Sequence, residues 1–298
     1  MFDVVIVGAG PAGLNAALTL GRCRRRVLLC DRGRPRNAVA SHVNGFLSRD
    51  GIEPGELRRI GREQLERYDS VQARDIEVIG AECEANHFVV VLADGSRVQS
   101  RKLLVTTGLL DKLPDIEGFQ QFWGRGVHHC PYCDGWEHRD QAFAVYAPGA
   151  DGVGYALEMT VWSRDIVLCT DRKIELIEKD RDRLGNQGIT IIEDPIARLE
   201  GSHLSLERIR FKNGEAVPCQ ALFFCPETQQ SCELVSKLGC ELGRNNAVET
   251  GSNERTNVPG LFIAGDASRR VQLAIVAAAE GAMAAIGINT ELWKEDTA

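Results

Sequence analysis

The sequence lacks an excess of positive charge. Its 35 lysine and arginine residues are outnumbered by 42 aspartate and glutamate residues, which leaves a formal net charge of −7. A protein that binds nucleic acid generally presents a basic surface to the phosphate backbone, so we expect no nucleic-acid partner. A long uninterrupted apolar run of the kind that spans a bilayer is also missing, and we expect no membrane partner.

The first residues lack the basic segment that opens a secretory signal peptide. Phe2–Val7 is apolar and leads directly into a glycine-rich turn, which is typical of a buried strand. The ten cysteines are scattered along the chain, unlike the disulfide framework of a small secreted protein. We therefore expect a cytoplasmic location, one working cysteine pair and eight cysteines that serve as small core residues.

A glycine fingerprint lies between the first strand and a helical pattern. Gly8, Gly10 and Gly13 follow the strand, and the next apolar strand, 26–30, ends at Asp31. In a dinucleotide-binding βαβ unit these glycines permit a tight turn, close approach of a pyrophosphate and close helix–strand packing. The helix N-terminus attracts the phosphates, and Asp31 would accept a hydrogen bond from a ribose hydroxyl. With strand, helix and acid in register, the pattern favours a nucleotide site over a ligand-free turn.

A second βαβ pattern lies in the middle of the chain, with a strand at 142–146, a turn at 147–152 and a helix at 153–162. Strand patterns resume after it, and a last apolar strand leads to Gly265-Asp266 and an alanine-rich helix. The sequence therefore predicts an α/β fold of two Rossmann-like, three-layer nucleotide-binding domains, of which the first is discontinuous. The expected segments are residues 1–111, 112–226 and 227–298.

Cys130 and Cys133 are separated by two residues and followed by Asp134. Two thiols at this spacing form a disulfide reversibly, because one attacks while the other resolves, and an adjacent carboxyl can carry the proton. Two alternatives are that Asp134 only caps a helix and that the thiols belong to a zinc site. A Cys2His2 zinc site would need two of the nearby histidines, which are His128, His129 and His138. Their spacing is compressed, so the pattern favours a redox-active pair.

With these motifs the chain resembles the low-molecular-weight thioredoxin-reductase family of flavoproteins over nearly its full length. The elements that carry the resemblance are Gly8-x-Gly10-x-x-Gly13, Asn44, Thr106-Thr107-Gly108, Cys130-x-x-Cys133-Asp134, and Gly265-Asp266 followed by Gln272. The resemblance implies that the two outer segments bind FAD and that the central domain carries the cysteine pair and a pyridine-nucleotide site. It also implies a homodimer whose partner is a thioredoxin-like protein or a small dithiol or disulfide.

The resemblance implies a role for each matching residue. Cys133 would face the flavin, Cys130 would exchange with the substrate, and Asp134 would act as acid–base. Asp266 would bind the ribitol or phosphate region of FAD, and Gln272 would lie near the isoalloxazine ring. The expected cofactor-binding residues are Gly8, Gly10, Pro11, Ala12, Gly13, Asp31, Asn44, Thr107, Gly108, Gly265, Asp266, Gln272 and Leu273. No metal ligand is expected.

The chain departs from this family at the pyridine-nucleotide site. The second glycine fingerprint stands as Ala147-Pro148-Gly149-Ala150-Asp151-Gly152, and the His-Arg-Arg that reads the 2′-phosphate of NADPH stands as Thr170-Asp171-Arg172. An alanine adds a Cβ to the tight turn. Asp171 would repel a 2′-phosphate and would suit a ribose diol, as in NADH. We therefore expect inefficient use of NADPH and leave binding of NAD(P)H open.

Three functions are compatible with these departures. One is a thioredoxin-disulfide reductase that uses NADH or NADPH. Another is a non-enzymatic, FAD-bound redox sensor. The function that we favour is a flavoenzyme that has lost pyridine-nucleotide binding. Ferredoxin-linked family members and small-molecule dithiol oxidases are of this kind, and Gly135-Trp136-Glu137 is similar to a string in the latter. A ferredoxin donor would need a basic docking surface. The candidates for that surface are Arg22, Arg24, Arg25 and Arg26, which otherwise form a solvated helix end.

Overall fold

The computed structural model describes residues 1–85, 87–147, 151–173, 175–243, 246–269 and 271–298. Within them the helices are α1 (Pro11–Arg22), α2 (Pro54–Leu65), α3 (Phe119–Phe122), α4 (Pro131–Asp134), α5 (Gly152–Glu158), α6 (Glu178–Asn186), α7 (Leu234–Lys237) and α8 (Ala274–Thr297). The strands are β1 (Phe2–Val7), β2 (Val27–Cys30), β3 (Val71–Arg74), β4 (Val78–Glu84), β5 (His87–Leu92), β6 (Arg97–Val105), β7 (Leu109–Lys112), β8 (Val127–His128), β9 (Phe143–Tyr146), β10 (Ile166–Cys169), β11 (Thr190–Ile192), β12 (Ile196–Ser202), β13 (Ser205–Phe211), β14 (Ala216–Pro218), β15 (Ala221–Phe224), β16 (Glu227–Gln230) and β17 (Leu261–Ile263).

The chain divides into two compact units. The first comprises residues 1–38, 45–111 and 228–298, and the second comprises residues 39–44 and 112–227. Residues 39–44 therefore group with the central segment, whereas the sequence analysis had placed them in the first outer segment. The first unit is built from both ends of the chain, with the second unit between them in sequence.

The first unit is a mixed sheet with helices and a β-hairpin around it. Strands β3, β2, β1, β6 and β17 are parallel neighbours in that order, and the antiparallel pair β4–β5 joins the same sheet along the first half of β6. Because side chains alternate across a strand, β1 supplies both faces. Val4 and Ile6 pack toward the alanine-rich faces of α1 and α8, while Val5 and Val7 pack with Val90 of the hairpin.

The second unit is a five-stranded parallel sheet in the order β11-β10-β9-β15-β8, with a separate antiparallel sheet of β12, β13 and β14. On one face of β9, Phe143 and Val145 pack with residues of α5 and α6. On the other face, Ala144 and Tyr146 pack with side chains of the antiparallel sheet, including Ile209. Both units thus have the Rossmann-like α/β architecture predicted from the sequence, and the predicted fold class is confirmed.

One strand contains a buried charge, and one predicted helix differs from the structure in its bounds. Strand β6 includes Lys102, which is buried and paired with Glu291 and Glu295 at 2.9 and 2.6 Å. The helix expected over 153–162 is α5 followed by a 3₁₀ turn at 159–161. The buried ion pair lets the charged Lys102 occupy the interior of the strand.

Helix α8 corrects the expectation that no segment is apolar enough to span a membrane. By length and composition α8 meets that test, with a mean hydropathy of 1.2, and half of its most apolar stretch is buried inside the structure. Gly281 lies against α1 so closely that an added Cβ would be 2.0 Å from the carbonyl oxygen of Ala12. This packing is that of a core helix, which gives the same composition as a membrane span.

Candidate active site

The first glycine turn depends on two glycines for its shape. Gly8 has a φ of +106°, and a Cβ there would lie 2.6 Å from the carbonyl oxygen of Thr106 on the neighbouring strand. A Cβ on Gly13 would lie 1.9 Å from the carbonyl oxygen of Gly8. Only glycine permits the positive φ and the close helix–strand contact at these two positions. The turn therefore packs closely against the end of β6 and leaves the N-terminus of α1 accessible.

Gly10 is different, because a Cβ at this position would meet no protein atom within 4 Å. It caps α1 without a side-chain hydrogen bond, Pro11 occupies the first turn, and Ala12 is buried behind it. The first N–H groups of a helix lack intrahelical partners and attract anions. An open backbone face at a helix N-terminus fits the pyrophosphate of a dinucleotide such as FAD.

Asp31 lies immediately after β2, beside the glycine turn. Its Oδ1 accepts a hydrogen bond from the backbone N–H of Ala9 at 3.2 Å, and its Oδ2 accepts from the guanidiniums of Arg58 and Arg62, the latter at 3.0 Å. The structure therefore places this acid next to the turn, where the fingerprint requires it, and pairs it with two arginines of α2. Its hydrogen bond to a ribose stays a prediction.

A buried arginine that the sequence analysis missed organises the other predicted cofactor residues. Arg36 binds both carboxylate oxygens of Asp111, at 2.8 and 2.5 Å, and donates to Asp266 at 2.9 Å and to Oε1 of Gln272 at 2.6 Å. Its side chain is 12% exposed and that of Asp111 is 5% exposed. Because a bidentate guanidinium–carboxylate pair fixes both distance and plane, Arg36 holds Asp266 and Gln272 in one orientation.

Gly265 and Arg269 both donate hydrogen bonds to a buried carboxylate. Glu280 of α8 accepts from the N–H of Gly265 at 2.8 Å and from Nε of Arg269 at 2.8 Å. Burial raises the pKa of Glu280 above its usual value, against the opposing effect of these donors. Gly265 has a φ of +83° and approaches the side chain of Ala12. The Gly-Asp turn is thereby fixed beside the N-terminus of α1.

The remaining predicted cofactor residues of this unit lie at the ends of its elements. Thr107 and Gly108 follow β6, and their carbonyl oxygens accept hydrogen bonds from the hydroxyl and the N–H of Ser231, at 2.6 and 3.2 Å. Leu273 is the N-cap of α8. The first unit thus gathers the glycine turn, Asp31, Asp266 and Gln272 at the carboxyl ends of parallel strands, where nucleotides bind in this class of fold.

The redox pair lies in the second unit. Cys130 and Cys133 form a disulfide with a Cα–Cα distance of 5.2 Å. Cys130 caps the short helix α4, and its carbonyl oxygen accepts from the N–H groups of Cys133 and Asp134 at 3.1 and 3.2 Å. Asn44, predicted as a cofactor residue, donates from Nδ2 to the carbonyl oxygen of Cys133 at 2.8 Å. Both thiols are partly exposed, as exchange with an external thiol requires.

Asp134 contacts a histidine that the sequence analysis considered only as a zinc ligand. Nδ1 of His128 lies 3.3 Å from Oδ1 of Asp134, and the His128 ring lies 4.9 Å from the ring of His138, centroid to centroid. Within the described residues no group of three or more histidine, cysteine or acidic side chains is arranged to hold a metal ion. The two thiols are bonded to each other, and His128 is directed to the carboxylate instead.

Exposed aromatic side chains flank the disulfide. Tyr132 and Trp136 are 67% and 65% exposed. Tyr132 packs edge-on to Trp162 at 5.4 Å and donates to Glu158 at 2.9 Å, which raises the pKa of the Tyr132 phenol. Arg139 lies over the ring of Trp136 at 4.2 Å. An exposed aromatic surface beside a redox pair can bind an apolar substrate by contact area alone.

The region expected to read the nicotinamide nucleotide holds its cations in ion pairs. Lys173 binds Asp171 at 2.6 Å, the hydroxyl of Tyr146 donates to the same carboxylate at 3.2 Å, and Arg172 pairs with Asp194. Both described cations next to Thr170 are thus neutralised by carboxylates. The altered fingerprint at Pro148-Gly149-Ala150 lies outside the described residues.

One sequence interpretation is corrected, and one alternative is favoured. Of the eight cysteines expected in the core, Cys23, Cys83 and Cys225 are exposed, because apolar neighbours in sequence do not tell which face of an element a side chain occupies. For the arginines near the end of α1 the sequence had left a solvated helix end and a docking surface open. Arg25 pairs with Asp296 at 2.6 Å and Arg26 with Asp3 at 3.7 Å. These pairs favour a solvated helix end over a docking surface for an acidic protein.

Comparison with known proteins agrees with this arrangement. A family model described as pyridine nucleotide-disulphide oxidoreductase matches residues 2–281. A probable thioredoxin reductase of Arthroderma benhamiae is 29% identical over 99% of this chain and 81% of its own length. The crystal structure of HlmI superposes with a TM-score of 0.94 at 37% identity, covering 99% of this chain and 94% of that one. A putative thioredoxin reductase, TrxB, of Bacillus anthracis superposes with a TM-score of 0.94 at 31% identity, covering 99% and 100%.

Proposed function

The chain belongs to the pyridine nucleotide-disulphide oxidoreductase family and is a thioredoxin-reductase-like, flavin-dependent disulfide oxidoreductase, and we propose the path that electrons take through it. In this proposal electrons pass between FAD and the Cys130–Cys133 disulfide, and then to or from an external disulfide or dithiol. The observation that carries the proposal is the disulfide itself, partly exposed at the start of α4 with Asp134 adjacent. NADPH is not an efficient donor.

Membership of the family implies a flavin, and the residues of the first unit fit FAD. Gly10 and the N-terminus of α1 would take the pyrophosphate, Asp31 the ribose, and Asp266 with Gln272 the remainder of the cofactor. The open face at Gly10 supports this assignment, because a side chain there would fill space that no protein atom occupies. When bound, the flavin would supply or accept the electron pair of the disulfide.

The chemistry of the chain's own residues is thiol–disulfide exchange. In the oxidative direction a substrate thiolate attacks Sγ of Cys130, the Cys130–Cys133 bond breaks, and Cys133 leaves as a thiolate. The second substrate thiolate then displaces Cys130, so that the substrate leaves as a disulfide and the pair holds two electrons. Asp134 takes or gives the proton that each thiol exchanges. Run backwards, the same steps reduce an external disulfide.

The paired cations of the second unit support the inefficient use of NADPH. A 2′-phosphate placed near Thr170 would meet Asp171, and it would have to displace the ion pairs that occupy Lys173 and Arg172. Like charges at short range cost several kcal/mol in partly buried surroundings. NADH lacks the 2′-phosphate, so a thioredoxin-disulfide reductase that uses NADH remains the alternative.

A second candidate within the same chemistry is oxidation of a small dithiol. The exposed aromatic side chains of Tyr132 and Trp136 beside the pair favour it, since they offer contact area to a compact apolar molecule. A thioredoxin-like protein would instead need a larger surface, of about 600 Å² or more on each partner. A ferredoxin donor is less well supported, because Arg25 and Arg26 are paired within the chain. Homodimerisation and a cytoplasmic location stay predictions.

An anaerobic titration of the purified protein tests the proposal by following the visible flavin band. NADPH, NADH and dithiothreitol are added in turn. Dithiothreitol should bleach the band. NADPH should bleach it slowly or not at all, and no faster than NADH does. Rapid bleaching by NADPH would refute the proposed donor specificity.

A matched variant separates the cysteine chemistry from flavin binding. Cys133→Ser should keep FAD bound and lose bleaching by dithiothreitol, whereas Cys240→Ser, a change in the other unit, should behave like the unaltered chain. Multiple turnovers of a dithiol or disulfide per flavin separate an enzyme from a redox sensor, which is oxidised and reduced once. Retained dithiol turnover in Cys133→Ser would contradict the assigned roles.

A further inference from the structure

The contact between His128 and Asp134 gives the acid–base residue a partner that the family resemblance does not assign. His128 is the last residue of β8, an edge strand whose only ladder within the described residues is with β15. Its ring packs on Phe223 at 5.6 Å, and the residue is 4% exposed. The imidazole is therefore fixed by the sheet, and its Nδ1 lies 3.3 Å from Oδ1 of Asp134.

The environment of the other ring nitrogen of His128 provides a second, independent observation. Nε2 is buried and has no hydrogen-bond partner among the described residues. A neutral imidazole carries one N–H, whereas an imidazolium carries two. A proton on Nε2 would be a buried donor without an acceptor, which costs about 1–3 kcal/mol. The neutral imidazole with its proton on Nδ1 avoids this buried donor and leaves Nε2 as an unpaired acceptor instead. In that form the N–H is at the nitrogen that lies 3.3 Å from Oδ1 of Asp134.

Other titratable groups lie close to this pair. His138, from the segment after α4, interacts with His128 and Asp134, and Tyr155 of α5 interacts with Asp134. Burial lowers the pKa of His138, and the nearby His128 lowers it further. Burial raises the pKa of the Tyr155 phenol, which therefore stays protonated.

We infer that His128 is a positioning residue that holds Asp134 as a carboxylate through its Nδ1–H, so that Asp134 accepts the proton of a dithiol substrate being oxidised. A carboxylate that accepts a hydrogen bond is stabilised in its charged form. In the step itself the substrate sulfur forms a bond to Cys130, the Cys130–Cys133 bond breaks with Cys133 leaving as a thiolate, and the substrate proton passes to Asp134. The inference rests on the proposed function and assigns the direction for which the site is prepared.

The first test is kinetic and uses the flavin-loaded protein. Reduction by dithiothreitol is followed between about pH 5.5 and 9 by stopped-flow absorbance. His128→Phe, which keeps a ring but removes the donor, should lower the rate about tenfold at neutral pH and move the acid limb of the profile to higher pH. His128→Asn, whose amide N–H can replace Nδ1–H, should stay within about threefold of the unaltered chain. In an Asp134→Asn background, His128→Phe should cause no further loss.

Three kinetic outcomes would overturn the inference. These are an unchanged pH profile in His128→Phe, an equal loss in His128→Asn, or a full additional loss in the Asp134→Asn background. The last two would show that His128 acts through packing alone.

The second test does not depend on turnover. Imidazole ¹⁵N shifts of the oxidised protein, assigned by comparison with His128→Asn, should show a neutral ring with its proton on Nδ1 at pH 7. A proton on Nε2, or a doubly protonated ring, would overturn the inference. If dithiols fail to reduce the unaltered chain, the proposed function fails while the tautomer result still decides the role of His128.

Discussion

The open face of Gly10 leads to a prediction that separates cofactor binding from folding. In Gly10→Ala the added methyl meets no protein atom within 4 Å, and the residue's φ of −77° and ψ of −175° are ordinary for alanine. Alanine is a poorer N-cap than glycine by about 0.5–1 kcal/mol, and the lost freedom of the unfolded chain returns about 0.4–1 kcal/mol. We therefore expect the free energy of unfolding of the FAD-free protein to change by less than about 1 kcal/mol.

FAD binding should respond very differently, because the methyl would occupy the face that the pyrophosphate approaches. We expect the FAD dissociation constant to rise at least about 100-fold, which is about 2.7 kcal/mol. At an FAD concentration of 100 times the unaltered dissociation constant, the cofactor stabilises the unaltered chain by about 2.7 kcal/mol. The same concentration would stabilise Gly10→Ala by only about 0.4 kcal/mol. Urea unfolding with and without FAD measures both quantities.

Gly13→Ala is the matched control, since its Cβ would lie 1.9 Å from the carbonyl oxygen of Gly8. Such overpacking costs about 1–3 kcal/mol or more, so this variant should be destabilised even without FAD. An unchanged FAD affinity in Gly10→Ala would refute the placement of the pyrophosphate at this turn. A loss of stability in Gly10→Ala equal to that of Gly13→Ala would refute the separation of the two roles.

Two further predictions concern ion pairs. Arg36→Gln leaves the buried carboxylate of Asp111 without its partner and should cost about 3–5 kcal/mol in urea unfolding. A loss below about 1 kcal/mol would contradict this. In Glu200, hydrogen bonds from Arg210 and then Arg198 lower the carboxyl pKa to about 2. A carboxyl whose pKa is lowered in the folded state stabilises the fold at pH values above its ordinary pKa. This stabilisation is lost as the pH falls through the lowered pKa. The stability difference between the unaltered chain and Glu200→Gln should therefore shrink from pH 6 to pH 3, and a constant difference would contradict it.

The parts of the site that could be predicted from the sequence are those encoded in short, contiguous stretches. The glycine turn was recognised because its three glycines and flanking strand obey fixed spacings. The redox pair was recognised because Cys130 and Cys133 are separated by one helical turn and followed by Asp134. In each case the spacing of residues within a short stretch identifies the functional side chains, and the structure adds the residues that surround them.

The Arg36 cluster could not be predicted in this way. Its members, Arg36, Asp111, Asp266 and Gln272, come from distant parts of the chain and meet only after the sheet has formed. Nothing in the local sequence distinguishes Arg36 from the other arginines around it. The same holds for Lys102, whose partners on α8 are 189 and 193 residues further along the chain.

His128 shows what proximity in sequence leaves out. Its proximity to the cysteines in sequence was noticed and read as a possible metal ligand. The structure turns its ring toward Asp134 across the junction of β8 and α4. Side-chain direction at a strand end depends on the register with the neighbouring strand, here Phe223 of β15, and sequence spacing does not report that register.

The division of the first unit between the two ends of the chain has a consequence for biosynthesis. Strand β17 pairs with β6, and α8 packs on α1, so that this unit lacks a strand and its longest helix until residues 261–297 have been made. The segment 112–227 is continuous in sequence. Because domains fold as units while the chain emerges from the ribosome, the disulfide-bearing segment can reach its folded state first. The sheet and helices around the glycine turn at 8–13 are complete only after residues 261–297 have been made.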